Sequence, residues 1–242
     1  MSSEKTFAVV IPARYESSRF PGKPLVNICD KPMIQHVWER CCLAVGKDKV
    51  YVATDDTRIQ TAVESFGGRV VMTSSDCLTG TDRLAEANQQ LNCDFLVNVQ
   101  GDEPLINPKD INSVINAFLK SGNVTNAMCP IVSEQEFHSY TVPKVTFSQS
   151  GKLLYISRAG IPQTKSGEFK FGYKQVCIYA FSKDQLAFFY SNKFKTRHEQ
   201  VEDIEILRFL ESDYPVEMVE VELGSLAVDI PSDVELVVRK LK

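Results

Sequence analysis

Four short apolar runs alternate with longer amphipathic segments through the first 120 residues: Phe7 to Ile11, Lys49 to Ala53, Arg69 to Met72 and Phe95 to Val99. Runs this short and this apolar read as strands covered on both faces. Between them, Met33, Ile34, Val37, Trp38, Cys41 and Val45 recur at helical spacing. So do Ile59, Ala62, Val63 and Phe66, and then Leu84, Ala87 and Leu91, the last set capped by Thr79 or Thr81. Asn107-Pro108 starts a fourth helix whose buried face is Ile111, Val114, Ile115, Phe118 and Leu119. Strands joined by helices need crossover connections, so this pattern predicts an α/β fold with a mostly parallel, doubly wound sheet.

Ser121-Gly122-Asn123 punctuates the end of that half. Beyond it the reading is β-rich, with strands at Ala127 to Val132, Val142 to Phe147, Leu153 to Ser157 and Lys174 to Phe181 and few helices between. Gln163 to Lys170 reads as a loop. One helix is expected from about Glu199 to Glu211, then a strand at Val216 to Val221. A last helix is expected to open on the capping box Ser232-Asp233-Val234-Glu235. With no repeat and no linker, the 242 residues read as one domain, with a nucleotide-binding half (1–125) and a second half (126–242).

The formal net charge of −4 disfavours a general nucleic-acid binder, while leaving room for a local basic pocket. Seven cysteines without C-x-x-C spacing speak against a zinc site or redox dithiol and fit the reduced thiols of a cytoplasmic protein. No apolar run approaches the ~20 residues of a membrane span, and no signal peptide is evident.

Ligands of open parallel sheets bind beyond the carboxyl ends of the strands, and three polar clusters fall there. The first, Ile11 to Lys23, carries Arg14, Arg19 and Lys23 and suits a polyphosphate or is simply a solvated basic loop. It is neither a P-loop nor a dinucleotide fingerprint. The second, Thr79-Gly80-Thr81-Asp82-Arg83, opens a helix, as an anion site or an ordinary cap. The third, Asn98 to Leu105, places Asp102-Glu103 at a strand end, suited to Mg²⁺ beside phosphates or to a polar turn. Later, Asp229 is a second possible metal ligand or a turn residue, while Asp233 suits the first turn of the last helix. Together the clusters suit a nucleoside triphosphate with Mg²⁺. The simplest chemistry is nucleotidyl transfer, with Lys23 and the arginines offsetting phosphate charge.

Read in order, IPARYESSRFPGKPL (11–25), YVATDD (51–56), TGTDRLAE (79–86), NVQGDEPLI (98–106), YISRAGIP (155–162) and VDIPSDVE (228–235) closely resemble the 3-deoxy-manno-octulosonate (Kdo) cytidylyltransferases across essentially the whole chain. The resemblance implies a Rossmann-like nucleotidyltransferase fold with a β-rich dimerisation lobe, and a homodimer in the bacterial cytoplasm. It implies transfer of CMP from CTP to the anomeric hydroxyl of an acidic sugar, feeding lipopolysaccharide or capsule synthesis, with no nucleic-acid or membrane partner. Arg14, Lys23 and Asp102 would be catalytic. Pro12, Ala13, Arg14, Lys23, Thr79, Gly80, Thr81 and Arg83 would bind the nucleotide. Arg19, Arg83, Gln100, Gln175, Tyr179 and Glu205 would hold the sugar acid, and Asp102 and Asp229 the Mg²⁺.

Three departures from the family pattern lie on the sugar side: Gln163-Thr164-Lys165 after Ile161-Pro162, Gln175 where a His is usual, and Ile206 where a Gln is usual. Losing an imidazole and an amide unpairs polar groups of the original substrate. The expected acceptor is therefore Kdo or a close analogue such as 8-amino-Kdo. Competing readings are a cytidylyltransferase for a sialic-acid-like nonulosonate, a glycosyltransferase using Asp102-Glu103, and a non-catalytic relative.

Overall fold

The computed structural model describes residues 5–17, 20–222 and 226–241. The first half follows the predicted alternation. Strand β1 (Phe7–Ala13) leads through a short hairpin, β2 (Asn27–Ile28) and β3 (Lys31–Pro32), to α1 (Met33–Val45). Then come β4 (Val50–Thr54), α2 (Thr57–Ser65), β5 (Arg69–Met72), α3 (Gly80–Leu91), β6 (Phe95–Val99) and α4 (Pro108–Ser121). Of the two candidate caps of α3 it is Thr79 that serves, in a reciprocal capping box with Asp82. Gly122 closes α4 in the left-handed conformation, φ 68°.

The second half contains β7 (Val124–Pro130), α5 (Glu134–His138), β8 (Lys144–Phe147), β9 (Leu153–Ser157), β10 (Tyr173–Ser182), α6 (Lys183–Ser191), α7 (Arg197–Glu202), α8 (Ile206–Leu210), β11 (Val216–Glu220) and α9 (Pro231–Leu241). It is more helical than the composition suggested. Helix α6 had a legible signal, the capping box Ser182 to Gln185 ahead of the buried Leu186 and Phe189. The single helix expected from 199 to 211 is two, because Asp203 turns left-handed at φ 53°. That break lets Glu199 on α7 face Arg208 on α8. The last helix opens at Pro231, and Asp233, not Ser232, caps it, accepting from the backbone N–H of Asp229 (2.8 Å) and Ile230 (3.0 Å).

The main sheet runs β11-β7-β10-β6-β1-β4-β5, with β8 and β9 extending from β10. Its pairs are parallel except those made by β10 with β6, β7 and β8, and by β8 with β9. The sheet thus crosses the boundary between the two halves, because β10 inserts between β6 and β7. Alternation along β1 serves both faces. Val9, Ile11 and Ala13 pack with α1, α2 and α4, while Ala8 and Val10 pack with α3, α6 and α8. A third cluster, Ile28, Met33, Val228 and Val237, seats α9 against the hairpin after the first loop. That contact carries Asp229 to the strand ends.

Glu211 ties down the segment containing α7 and α8. Its carboxylate accepts from Thr196 Oγ1 (2.5 Å) and from the backbone N–H of His198 and Glu199 (3.0 and 3.1 Å). Burial raises its pKa, but these hydrogen bonds outweigh burial and hold it at about 2. A carboxylate depressed in the folded state stabilises it above the unfolded pKa and loses that contribution as pH falls through the folded one. Acid titration of stability should therefore show a loss of up to about 3 kcal/mol between roughly pH 5 and 2 that Glu211→Gln flattens. Identical acid limbs in the two proteins would refute this account.

Candidate active site

Strands β1 and β6 pair in parallel, Phe7 opposite Phe95 to Val10 opposite Asn98. Their carboxyl ends, Ala13-Arg14 and Gln100-Gly101-Asp102, therefore emerge side by side. A Cβ on Gly101 would lie 3.0 Å from the Pro12 carbonyl oxygen, so the two ends approach as only glycine permits. The first turn of α3 closes the third side. A cleft of about 200 Å³ results, lined by Pro12, Ala13, Arg14, Ser17, Lys23, Thr79, Gly80, Arg83, Gln100 and Asp102. This is the switch point of the sheet, where connections leave toward opposite faces.

At one end of the cleft, Lys23 Nζ donates to Asp102 Oδ2 (2.8 Å) and to the Val228 carbonyl (2.8 Å), and lies 4.0 Å from Asp229 Oδ1. Three segments far apart in sequence thus share one ammonium. The backbone repeats the link, the Val228 N–H donating to the Asp102 carbonyl (2.9 Å). The loop before Lys23 closes on itself. Gly22, at φ 69°, packs against the Tyr15 ring, and its N–H reaches the Tyr15 carbonyl (2.9 Å). Arg58 lies over that ring at 3.3 Å.

Arg83 is buried beneath the cleft, donating to Thr73 Oγ1 (2.5 Å) and facing Asp55 Oδ1 at 3.4 Å. Glu205 accepts from the Thr81 N–H (2.9 Å) and from Gln100 Nε2 (3.2 Å). Burial raises its pKa, against the lowering by those donors.

The expected site residues thus separate into groups. Arg14, Lys23, Asp102, Pro12, Ala13, Thr79, Gly80, Arg83 and Gln100 converge on the cleft, and Asp229 reaches its rim. Thr81 is buried below the wall and contributes its backbone to Glu205. Tyr179, 3% exposed, stacks on Phe181 at 6.0 Å, and burial pushes its hydroxyl pKa well up. Gln175 gives its amide to Asn126 Oδ1 (2.9 Å), while Asn126 Nδ2 spans the bulge of β10 by bonding the Val176 and Ile178 carbonyls. Arg19 lies outside the described residues. Sequence reading missed Asp55, although Thr54-Asp55-Asp56 is a strand-end carboxylate pair like Asp102-Glu103. It also gave no role to Asp82 or Arg208, whose contact spans 126 residues.

The family profile described as cytidylyltransferase matches residues 8–219. The chain belongs to the cytidylyltransferase family. Among curated cytidylyltransferases, 3-deoxy-manno-octulosonate cytidylyltransferase 2 of Hydrogenovibrio crunogenus is 44% identical, the match covering 96% of each chain. The 8-amino-3,8-dideoxy-manno-octulosonate cytidylyltransferase of Shewanella baltica is 42% identical over 93% of this chain and 94% of its own. A solved CMP:2-keto-3-deoxy-manno-octonic acid synthetase complexed with CTP superposes with a TM-score of 0.90 at 38% identity, covering 98% of both chains. The mixed α/β fold with its mostly parallel sheet is thus the cytidylyltransferase fold. No helix among the described residues is long and apolar enough to cross a membrane.

Gly101→Ala should destabilise this cytidylyltransferase by about 1–3 kcal/mol in denaturant titration, since backbone cannot yield as a side chain can. Gly80→Ala, whose Cβ meets only the movable amide of Gln100, should be close to neutral. Equal effects at the two positions would contradict the close approach.

Proposed function

We propose that this chain transfers CMP from CTP to the anomeric hydroxyl of a 3-deoxy-2-keto sugar acid, Kdo or 8-amino-Kdo, with release of pyrophosphate. The carrying observation is the clasp of Lys23 with Asp102 and Asp229 inside a cleft that also presents Arg14 and the start of α3. The printed names of the relatives supply the two sugar acids, at nearly equal identity. The anomeric oxygen forms a bond to the α-phosphorus. The bond from that phosphorus to the bridging oxygen of the β-phosphate breaks, and the hydroxyl proton leaves to water.

Asp102 and Asp229 already share a cation, the Lys23 ammonium. The pair suits Mg²⁺, which takes one or two carboxylates and fills its shell with water and phosphate oxygens. When bound, Mg²⁺ supplies Lewis-acid neutralisation of phosphate charge. Lys23 then exchanges carboxylate for phosphate oxygens, and Arg14 adds a second positive charge over the leaving group. Gln100, held by Glu205, orients the acceptor beside Tyr179. The product suits lipopolysaccharide or capsule assembly in a bacterial cytoplasm. A homodimer is supported by the apolar surface of the β-rich lobe, where Val132, Tyr140, Leu154 and Phe171 are exposed.

Pyrophosphate release should be measured with CTP and Mg²⁺ against Kdo, 8-amino-Kdo and N-acetylneuraminate. Turnover is expected with one or both octulosonates and is abolished by chelation. Turnover confined to the nonulosonate, or none despite CTP binding, overturns the proposal. Lys23→Met should lower kcat/KM at least about 100-fold, about 2.7 kcal/mol of transition-state stabilisation.

A further inference from the structure

We propose that Arg208 is a positioning residue for nucleotide capture, fixing through Asp82 the turn that α3 presents to the cleft. The inference rests on the reading of that turn as part of the CTP site. Arg208 is wholly buried. Its Nε and Nη2 grip both oxygens of the equally buried Glu199 at 2.8 and 2.7 Å. That fork alone would neutralise its charge. Yet Nη1 also reaches Asp82 Oδ1 (2.9 Å) and the Asn192 carbonyl (2.9 Å), and the guanidinium lies 3.7 Å over the Phe189 ring.

Asp82 passes the constraint on. Its other oxygen accepts from the Thr79 N–H (2.9 Å) and Thr79 Oγ1 (2.8 Å). Thr79 and Gly80 line the cleft. Glu205, on the same segment as Arg208, takes the Thr81 N–H. Two carboxylates thus hold this turn from behind, and a buried planar fork fixes one of them. Burying one guanidinium with two carboxylates is costly, and an apolar cluster of that volume would serve stability as well. What the triad provides is a fixed direction for the helix start, on which a nucleotide depends and a core does not. Lysine has a single flexible ammonium and cannot hold Glu199 and Asp82 together.

The test is CTP affinity by calorimetry, with steady-state kinetics, for Arg208→Lys, Asp82→Asn, their double variant and Thr79→Ala. Arg208→Lys and Asp82→Asn should each raise the Kd and KM for CTP about 10-fold, as expected for the loss of one charged hydrogen bond. The kcat at saturating CTP should stay within about twofold, and the double variant should bind no worse than the weaker single. A lowered melting temperature with wild-type CTP affinity in both single variants, while Thr79→Ala weakens binding, would mean a purely structural triad and overturns the inference alone. Wild-type CTP affinity in Thr79→Ala as well overturns the nucleotide reading of this turn, and the inference with it. If Arg208→Lys does not fold, Asp82→Asn decides by the same criterion.

Discussion

The site depends on the parallel register of β1 and β6. Those strands sit mid-sheet and are apolar on both faces, so a one-residue slip would turn each side chain toward the wrong layer. Register therefore fixes where their carboxyl ends stop, and both ends stop at polar residues. Gly101 lets the end of β6 approach the Pro12 carbonyl, which brings Asp102 within reach of a loop that left the sheet at Ala13. Helix α9 adds Asp229 only because Val228 and Val237 bury against Ile28 and Met33. Apolar packing thus assembles a charged site whose members lie more than 200 residues apart.

Two groupings of one cation with two carboxylates flank α3 and the cleft, and their burial separates their roles. Around Arg208 the charges are sealed, with the side chains of Arg208 and Glu199 at 0% exposure. Every donor has a fixed acceptor, and the arrangement is rigid. Around Lys23 the carboxylates keep partial exposure, 28% for Asp102 and 33% for Asp229. A compact ammonium on a flexible stem can leave such a grouping when phosphates or a metal enter, and a guanidinium fork cannot do so as readily. The first suits a frame and the second a ligand site.

On the sugar side the chain's departures have a structural counterpart. Gln175 serves Asn126, and Asn126 stabilises the bulge that carries Cys177 and Ile178 between β7 and β6. A neutral amide both donates and accepts, which suits that backbone role. The bulge in turn sets where Tyr179 leaves the ladder, opposite Asn98 on β6. Glu205 couples this region to the nucleotide side, because one carboxylate holds Gln100 and the start of α3 together.

Much of this was legible in one dimension. Periodicity located the strands and helices of the first half, since buried strands and amphipathic helices have unmistakable spacings. Strand-end position marked Arg14, Lys23, Thr79 to Arg83 and Asp102 as candidates, and the motifs around them pointed to the family. Local signals failed where a helix was short or interrupted, as with α6 and the break at Asp203, because tertiary contacts decide such cases. Only the folded chain shows that Lys23 stands between Asp102 and Asp229, that Gln175 turns to Asn126, and that Arg208 holds Asp82. Each joins residues at least 49 positions apart. Sequence by itself determined which groups were available and at which strand ends. Tertiary packing decided which of them meet, because no local propensity encodes a contact between segments that the sheet alone brings together.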